Sequence, residues 1–593
     1  MSRRFFGVAA LACALVACEG RARVGSSGGA SAEPTRGPEV AVLDLSEGVS
    51  ERPSSSVLSL SPGTGSWTQL LEAVSALRGN NQVRGVLVRL GTARIGLAKA
   101  AEIAAALEAL GQRIPVWCHA DEMGNATAYL AAKGCARVWV SPGGSVDAIG
   151  IAAQMVYFHK LLAEEIGLDV DFLQVGKYKG AEEPFTRDGP SDEARASLET
   201  TLAGVRSAWL EGIRAGRHAA TETSIEDGPY SAPGAKDRGL IDDVGYFDEA
   251  RSAIEKEAHA VRAEVLWGPG SDASEGDPIA EIVHAIAGDS VGQAPVAVVV
   301  AAGAISTEGE GAFGQGGGIV ARHLVSVLSR LEKDDDIKAV VLRIDSPGGS
   351  ALASDLLWHA LMRLRAAKPL VVSVGEMAAS GGYYMASAGS VVFADPSSIV
   401  GSIGVVGGKV AAGHALERVG VFADTVPAKT GDRRAAARAA YESVLSPWDD
   451  ATRVRLMETM QSIYGLFLAR IAEGRGIARE RVAASAEGRI FAGGEGKSRG
   501  LVDELGGLSD AIARARVLAG LPPDARFALV REAAGFLQEL LQGDTSQTRG
   551  KSAQLLESAG TLAPELVPFV ASVAPIAAHE PVLCSMPFAL TVR

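Results

Sequence analysis

From Val296 to Ala301 every residue is valine or alanine, and that run opens a regular alternation. Ile319–Leu331 repeats its apolar positions at helical spacing, and Ala339–Asp345 is a second β-branched run. Ala351–Ala367 reads as another helix, Leu370–Val374 as a third strand, and the segment after Ser380 as a further helix. Apolar, β-branched strands separated by helices predict an α/β fold with mostly parallel sheets covered by helices.

The same pattern occurs twice. Val86-Leu87-Val88-Arg89-Leu90 matches Val340-Val341-Leu342-Arg343-Ile344 at an offset of 254. That offset also pairs Pro115 with Pro369, Tyr129 with Tyr383, Pro142 with Pro396, and Ile149-Gly150 with Ile403-Gly404. Gly239-Leu240-Ile241-Asp242 pairs with Gly500-Leu501-Val502-Asp503 at an offset of 261. Constant spacing over such lengths predicts two tandem homologous domains. They are expected at residues 38–265 and 294–531, with a linker at 266–293 and a C-terminal extension at 532–593.

Composition refines this picture. The 593 residues exceed a single core, and 47% hydrophobic with 21% charged residues is globular. A net charge of −13 without a basic stripe argues against a nucleic-acid partner. Arg3-Arg4 precede the apolar run Phe5–Ala17, too short for a stable membrane span, so residues 1–17 read as a secretory signal. The run ends in Leu15-Val16-Ala17-Cys18, which resembles a bacterial lipobox and implies lipidation of Cys18. The polar stretch to residue 37 would then tether the body to a membrane surface. Cys118, Cys135 and Cys584 remain, without CxxC spacing, so neither a disulfide framework nor a zinc site is expected. Nine scattered histidines without HExxH suggest no catalytic metal, and no cofactor is implied.

Candidate chemistry lies where the repeats disagree. In Glu376–Ser390 one hydroxyl, Ser380, stands between Ala378-Ala379 and Gly381-Gly382. Such smallness serves either a tight helix–sheet contact or the close approach of a ligand. Ser380 falls opposite Ala126, and Asp345-Ser346-Pro347-Gly348-Gly349-Ser350 falls opposite Gly91-Thr92-Ala93-Arg94-Ile95-Gly96. The joint loss in one copy suggests a single device, and its physics is acyl transfer. A serine at a helix N-terminus favours developing negative charge, and glycines after a strand can aim backbone N–H groups into a cleft.

The serine needs a base, and no His/Asp pair is convincingly placed. A lysine could serve if partly desolvated, so that its neutral amine is populated. Two neighbourhoods compete, Lys177 and Lys179 in the first half and Lys429 in the second. Aligned locally, at an offset of 252, Lys177 falls opposite Lys429 and Lys179 opposite Gly431. One half lacks the serine and the other lacks a lysine at the 179 position, as a site shared by both halves would leave.

These segments carry a family resemblance. DSPGG, MAASGGYY, PSSIVGSIGV, YKGAEEPF and the two Gly-Leu-[Ile/Val]-Asp repeats resemble the double-length signal peptide peptidase A family, serine–lysine proteases of the Clp-protease/crotonase-like superfamily. The resemblance covers roughly residues 38–520. It implies Ser380 as nucleophile, Lys179 as general base, Gly348 and Gly349 as the oxyanion-hole loop, and Ser402 as the residue orienting the lysine amine. Ala148 stands opposite Ser402. The resemblance further implies a homotetramer on the membrane in the bacterial envelope, with catalytic domains in the periplasm, degrading released signal peptides. Double-length members commonly carry a transmembrane anchor, from which the lipobox departs. A catalytically silent scaffold and a crotonase-like acyl-CoA enzyme share the fold, though an exported chain would meet no coenzyme A.

Overall fold

The β-branched runs form the parallel strands that their two-sided apolar character implies. The computed structural model describes residues 38–52, 65–269, 271, 294–307, 318–530 and 582–585. The signal segment, Cys18, the tether, most of the linker and most of the C-terminal extension lie outside the described residues.

Two sheets share one strand order. In the first repeat the order is Arg262–Trp267, Glu39–Asp44, Val83–Gly91, Val116–Ala120, Arg137–Val140 and Asp243–Val244, all parallel. In the second, Phe527–Leu529, Val296–Ala302, Ala339–Ser346, Leu370–Ala379, Val391–Ala394 and Glu504–Leu505 follow the same order, again all parallel. The Leu370–Ala379 strand runs five residues past the expected Leu370–Val374. A register shift lets its far end pair with Ile399–Gly401, an extension that Gly375-Glu376 hides from the apolar pattern.

The repeats are not separate bodies. From Pro38 onward the chain clusters as one compact unit. A single apolar cluster takes Val86, Leu107 and Trp209 from the first repeat and Val341, Phe393, Leu508 and Ile512 from the second. A buried charge network crosses the same boundary. Arg343, fully buried, donates to Glu102 Oε1 at 2.6 Å and Glu51 Oε1 at 3.0 Å, and Lys99 pairs with Glu51 at 3.0 Å. Glu376 accepts from the backbone amides of Ala98 (3.2 Å) and Lys99 (2.9 Å), at the start of the Leu97–Gly111 helix. Burial pushes the Glu51 carboxyl up, but Arg343 and Lys99 outweigh it and hold the group at about 2.

A third sheet joins the halves directly. Asp169–Val175 of the first repeat pairs antiparallel with Val405–Ala411 of the second, with Val175 opposite Val405. This pairing carries the chain of the first repeat to the far end of the second.

Cys118 and Cys135 are disulfide-bonded, contrary to the expectation of no disulfide. Their 17-residue separation gave no signal, because the contact forms between a strand and the C-cap of the neighbouring Asn125–Gly134 helix, with Cα atoms 5.8 Å apart.

Candidate active site

Ser380 ends the Leu370–Ala379 strand and caps the short Gly381–Ala386 helix. Its backbone is strained, with φ of 55° and ψ of −113°. Among the described residues only four non-glycines have positive φ, and three of them, Ser380, Ser402 and Glu487, lie here. Such backbone costs on the order of 1–3 kcal/mol per residue and persists where the surroundings impose it. Two of those constraints are hydrogen bonds, from the Ser380 amide to the Gly401 carbonyl (2.7 Å) and from the Ser402 amide to the Arg489 carbonyl (2.6 Å).

Lys179 follows the first-repeat strand that crosses into the second half. Its Nζ lies 2.8 Å from Ser380 Oγ, 3.0 Å from Ser402 Oγ and 2.8 Å from the Ser402 carbonyl. All three residues are fully buried. The structure thus brings together three sequence-predicted residues separated by up to 223 positions. The other lysines stand apart: Lys177 is exposed over the Tyr178 ring, and Lys429, with its side chain 79% exposed, pairs with Asp432 at 3.0 Å.

Gly348 and Gly349 follow the Ala339–Ser346 strand at φ of 102° and 152°, in the region that favours glycine. A Cβ on Gly349 would sit 2.1 Å from the Ile305 carbonyl oxygen, and one on Gly382 would sit 2.7 Å from that of Ser346. Backbone therefore packs on backbone between this loop and the helix after Ser380, which accounts for the small residues around the hydroxyl. The Gly348 amide donates to Ser346 Oγ at 3.1 Å, and that hydroxyl donates to the Gly303 carbonyl at 2.7 Å. The loop is thereby held in place.

Sequence reasoning missed the Glu487-Gly488-Arg489 loop. The Glu487 carbonyl accepts from the Tyr178 amide (2.8 Å), and the Gly488 amide donates to the Ile403 carbonyl (2.8 Å). A Cβ on Gly488 would sit 2.4 Å from Lys179 Cα, so only glycine lets this loop back the lysine. Arg489 lies over the Tyr178 ring, 4.3 Å from its centroid. The recurrence of Asp227-Gly228 before Tyr230 in the first half was the available signal. Glu182 lies close by, its carboxyl pushed up to about 7 chiefly by burial. No group of metal-ligating side chains occurs among the described residues.

A buried amine on a serine hydroxyl, beside a glycine loop, can remove a proton from that hydroxyl and set it against a carbonyl carbon. Comparisons with known proteins find serine-type peptidases. The model of peptidase family S49 matches residues 108–261 and 362–522, just over half of the chain, and the Clp protease model matches residues 317–400. The chloroplastic serine protease SPPA of Arabidopsis thaliana is 29% identical over 428 residues, 71% of this chain and 61% of that protein. Protease 4 of Salmonella typhi is 31% identical over 421 residues, 69% of this chain and 64% of that protein. Protease 4 of Haemophilus influenzae is 28% identical over 421 residues, 68% and 65% respectively. The chain thus spans less than two thirds of the length of these relatives.

Proposed function

The chain belongs to peptidase family S49, and from that premise we propose that it is a serine endopeptidase working through a Ser380–Lys179 dyad. The observation that carries this reading is the 2.8 Å contact of Lys179 Nζ with Ser380 Oγ in full burial. Neutral Lys179 takes the Ser380 proton as Oγ attacks the scissile carbonyl. The Gly349 N–H of the Gly348-Gly349 loop, and that of Gly381 at the start of the helix, stabilise the oxyanion. Lys179 returns the proton to the leaving amine, and water hydrolyses the acyl-enzyme by the same relay. Ser402 directs the amine, presenting its carbonyl and hydroxyl to Nζ as acceptors. The amine must be neutral to accept a proton, so the rate rises toward alkaline pH.

The substrates we assign are apolar peptides, signal peptides released at a membrane among them. Cys18, outside the described residues, would carry the lipid anchor in a bacterial envelope, and the body would assemble as a homotetramer with its catalytic repeats in the periplasm. No helix among the described residues is long and apolar enough to cross a membrane.

The test is trapping. An activated ester or fluorophosphonate should add one acyl or phosphonyl mass to Ser380, and Lys179→Ala should slow that addition by about 10²-fold or more. Labelling elsewhere, or labelling indifferent to Lys179, would overturn the dyad. For the anchor, Cys18→Ser should release the protein from membranes, read by fractionation and N-terminal mass.

A further inference from the structure

The hydrogen bonds that hold Ser380 and Ser402 at positive φ lead back to the first repeat. Ile490–Ala492 pairs antiparallel with Ile399–Gly401 and ends the strand order of its sheet. Gly401 stands opposite Ile490, and its carbonyl accepts from the Ser380 amide. One residue earlier on the outer strand, the Arg489 carbonyl accepts from the Ser402 amide. An antiparallel ladder turns successive residues inward and outward. With Arg489 turned inward to Ser402, the N–H and C=O of Ile490 face away from the sheet. Ile490 is buried, so both groups need partners there.

The Asp192–Gly216 helix of the first repeat supplies both. Ser197 Oγ accepts from the Ile490 amide at 3.2 Å, and fully buried Thr201 donates from Oγ1 to the Ile490 carbonyl at 2.9 Å. The Thr201 proton has a second acceptor at 2.9 Å, the Ser197 carbonyl, but that oxygen is already served by the ladder of its own helix. Gly204 completes the same helix face and admits the strand, since a Cβ there would sit 2.8 Å from that of Ala492.

The equivalent helix of the second repeat, Asp450–Arg475, has no such face. Leu210, Ile213 and Arg217 match Leu468, Ile471 and Arg475 at an offset of 258. The two arginines also make equivalent contacts, with Asp242 and with Asp503. That offset puts Arg455 opposite Ser197, Thr459 opposite Thr201 and Ser462 opposite Gly204, and all three are exposed. Arg455 pairs with Glu458, and the Thr459 hydroxyl donates to the Arg455 carbonyl of its own helix.

We propose that Thr201 and Ser197 are positioning residues for the Ser380–Lys179 pair. By fixing Ile490 at the sheet edge they hold Gly401 and Arg489 where these impose the strained backbone of the two serines. The alignment of both hydroxyls on the Lys179 amine follows from that backbone. The first repeat thus contributes, besides Lys179, the register of the strands that present the nucleophile. The effect on turnover rests on the peptidase reading above; the brace itself does not.

Thr201→Val keeps the side-chain shape and leaves the buried Ile490 carbonyl without its donor. Per active site titrated with a fluorophosphonate, kcat should fall about tenfold with KM within about twofold of the parent. Thr201→Ser should restore kcat to within about threefold of the parent. Ser197→Ala, at a half-buried position, should lower kcat about threefold, and it carries the test if Thr201→Val does not fold. Thr459→Val, the same change on the equivalent helix, should leave kcat and KM unmoved. Hydrogen exchange read by mass spectrometry needs no turnover: Thr201→Val, or Ser197→Ala in its place, should speed exchange in peptides covering 378–404 and spare those covering 339–346. An unchanged kcat in every folded variant, or Thr201→Ser as slow as Thr201→Val, overturns the positioning role. Unmoved exchange over 378–404 overturns the brace. Faster exchange there, in a protein with no turnover in any form, leaves the brace in place and sinks the peptidase reading instead.

Discussion

The two repeats share a strand order and differ in what they ask of one corner. In the second, Lys179 spans Ser380 and Ser402, both held at positive φ. In the first, Ala126 and Ala148 occupy the serine positions, and the neighbouring Asn125 closes the same space. Its Nδ2 donates to the Gly150 carbonyl at 2.8 Å, and its Oδ1 accepts from the Ile149 amide at 3.0 Å. A neutral amide thus ties in the first repeat the loop that an amine addresses in the second. The amide bonds are local and satisfied; the amine comes from the other repeat and touches a hydroxyl that can react. In the proposed reading one fold therefore serves as scaffold in one copy and as reaction site in the other, and the scaffold copy lends the lysine.

The sharpest way to break that comparison is to remove the lent group. Ser380→Ala and Lys179→Ala should each lower kcat/KM by about three orders of magnitude or more, and the double variant should be scarcely worse. Lys177→Ala and Lys429→Ala should retain most activity in the same fluorogenic assay. An inactive Lys429→Ala would mean that the second repeat works without the first.

A smaller effect separates the two equivalent arginines. Arg343 is fully buried between Glu51 and Glu102, whereas its counterpart Arg89 meets Asp44 at 3.2 Å with its side chain 40% exposed. Removing one member of a buried network leaves uncompensated charge, so Arg343→Ala should cost about 3–5 kcal/mol in denaturant unfolding. Arg89→Ala should cost about 1 kcal/mol or less. Equal losses would show that the charges crossing the repeat boundary have no special weight.

The smallest effect is in pH. Asp345, whose counterpart is Gly91, has its carboxyl pushed up to about 7 by burial and then by Glu51 and Glu376. Burial likewise raises Glu182 to about 7 and Asp395 to about 6. Each group keeps its proton in the fold at pH values where the unfolded chain has released it. The stability they contribute is therefore full below the ordinary carboxylate range and is lost as pH rises through 6 to 7. Thermal melts between pH 4.5 and 8 should show stability falling across that window. Asp345→Asn keeps an acceptor for the Met377 amide, which Asp345 Oδ1 binds at 3.2 Å, and should flatten the slope. An unchanged slope would remove Asp345 from this account.

Much of this was legible in the chain itself. Valine and alanine runs alternating with helical stretches determine parallel strands, because only such strands bury both faces. The offset of 254 determines that the pattern occurs twice, and its exceptions at Ser380, Ser402, Lys179 and Gly348-Gly349 mark where the copies diverge. These are local signals, carried by residue type and spacing. The contact of Lys179 with Ser380 was decided elsewhere, by the antiparallel pairing of Asp169–Val175 with Val405–Ala411 across more than two hundred residues. So were the Gly488 backing of the lysine, the Cys118–Cys135 bond and the charge network around Arg343. Each depends on segments distant in sequence arriving at one place, and burial, strand register and backbone strain exist only once they have arrived.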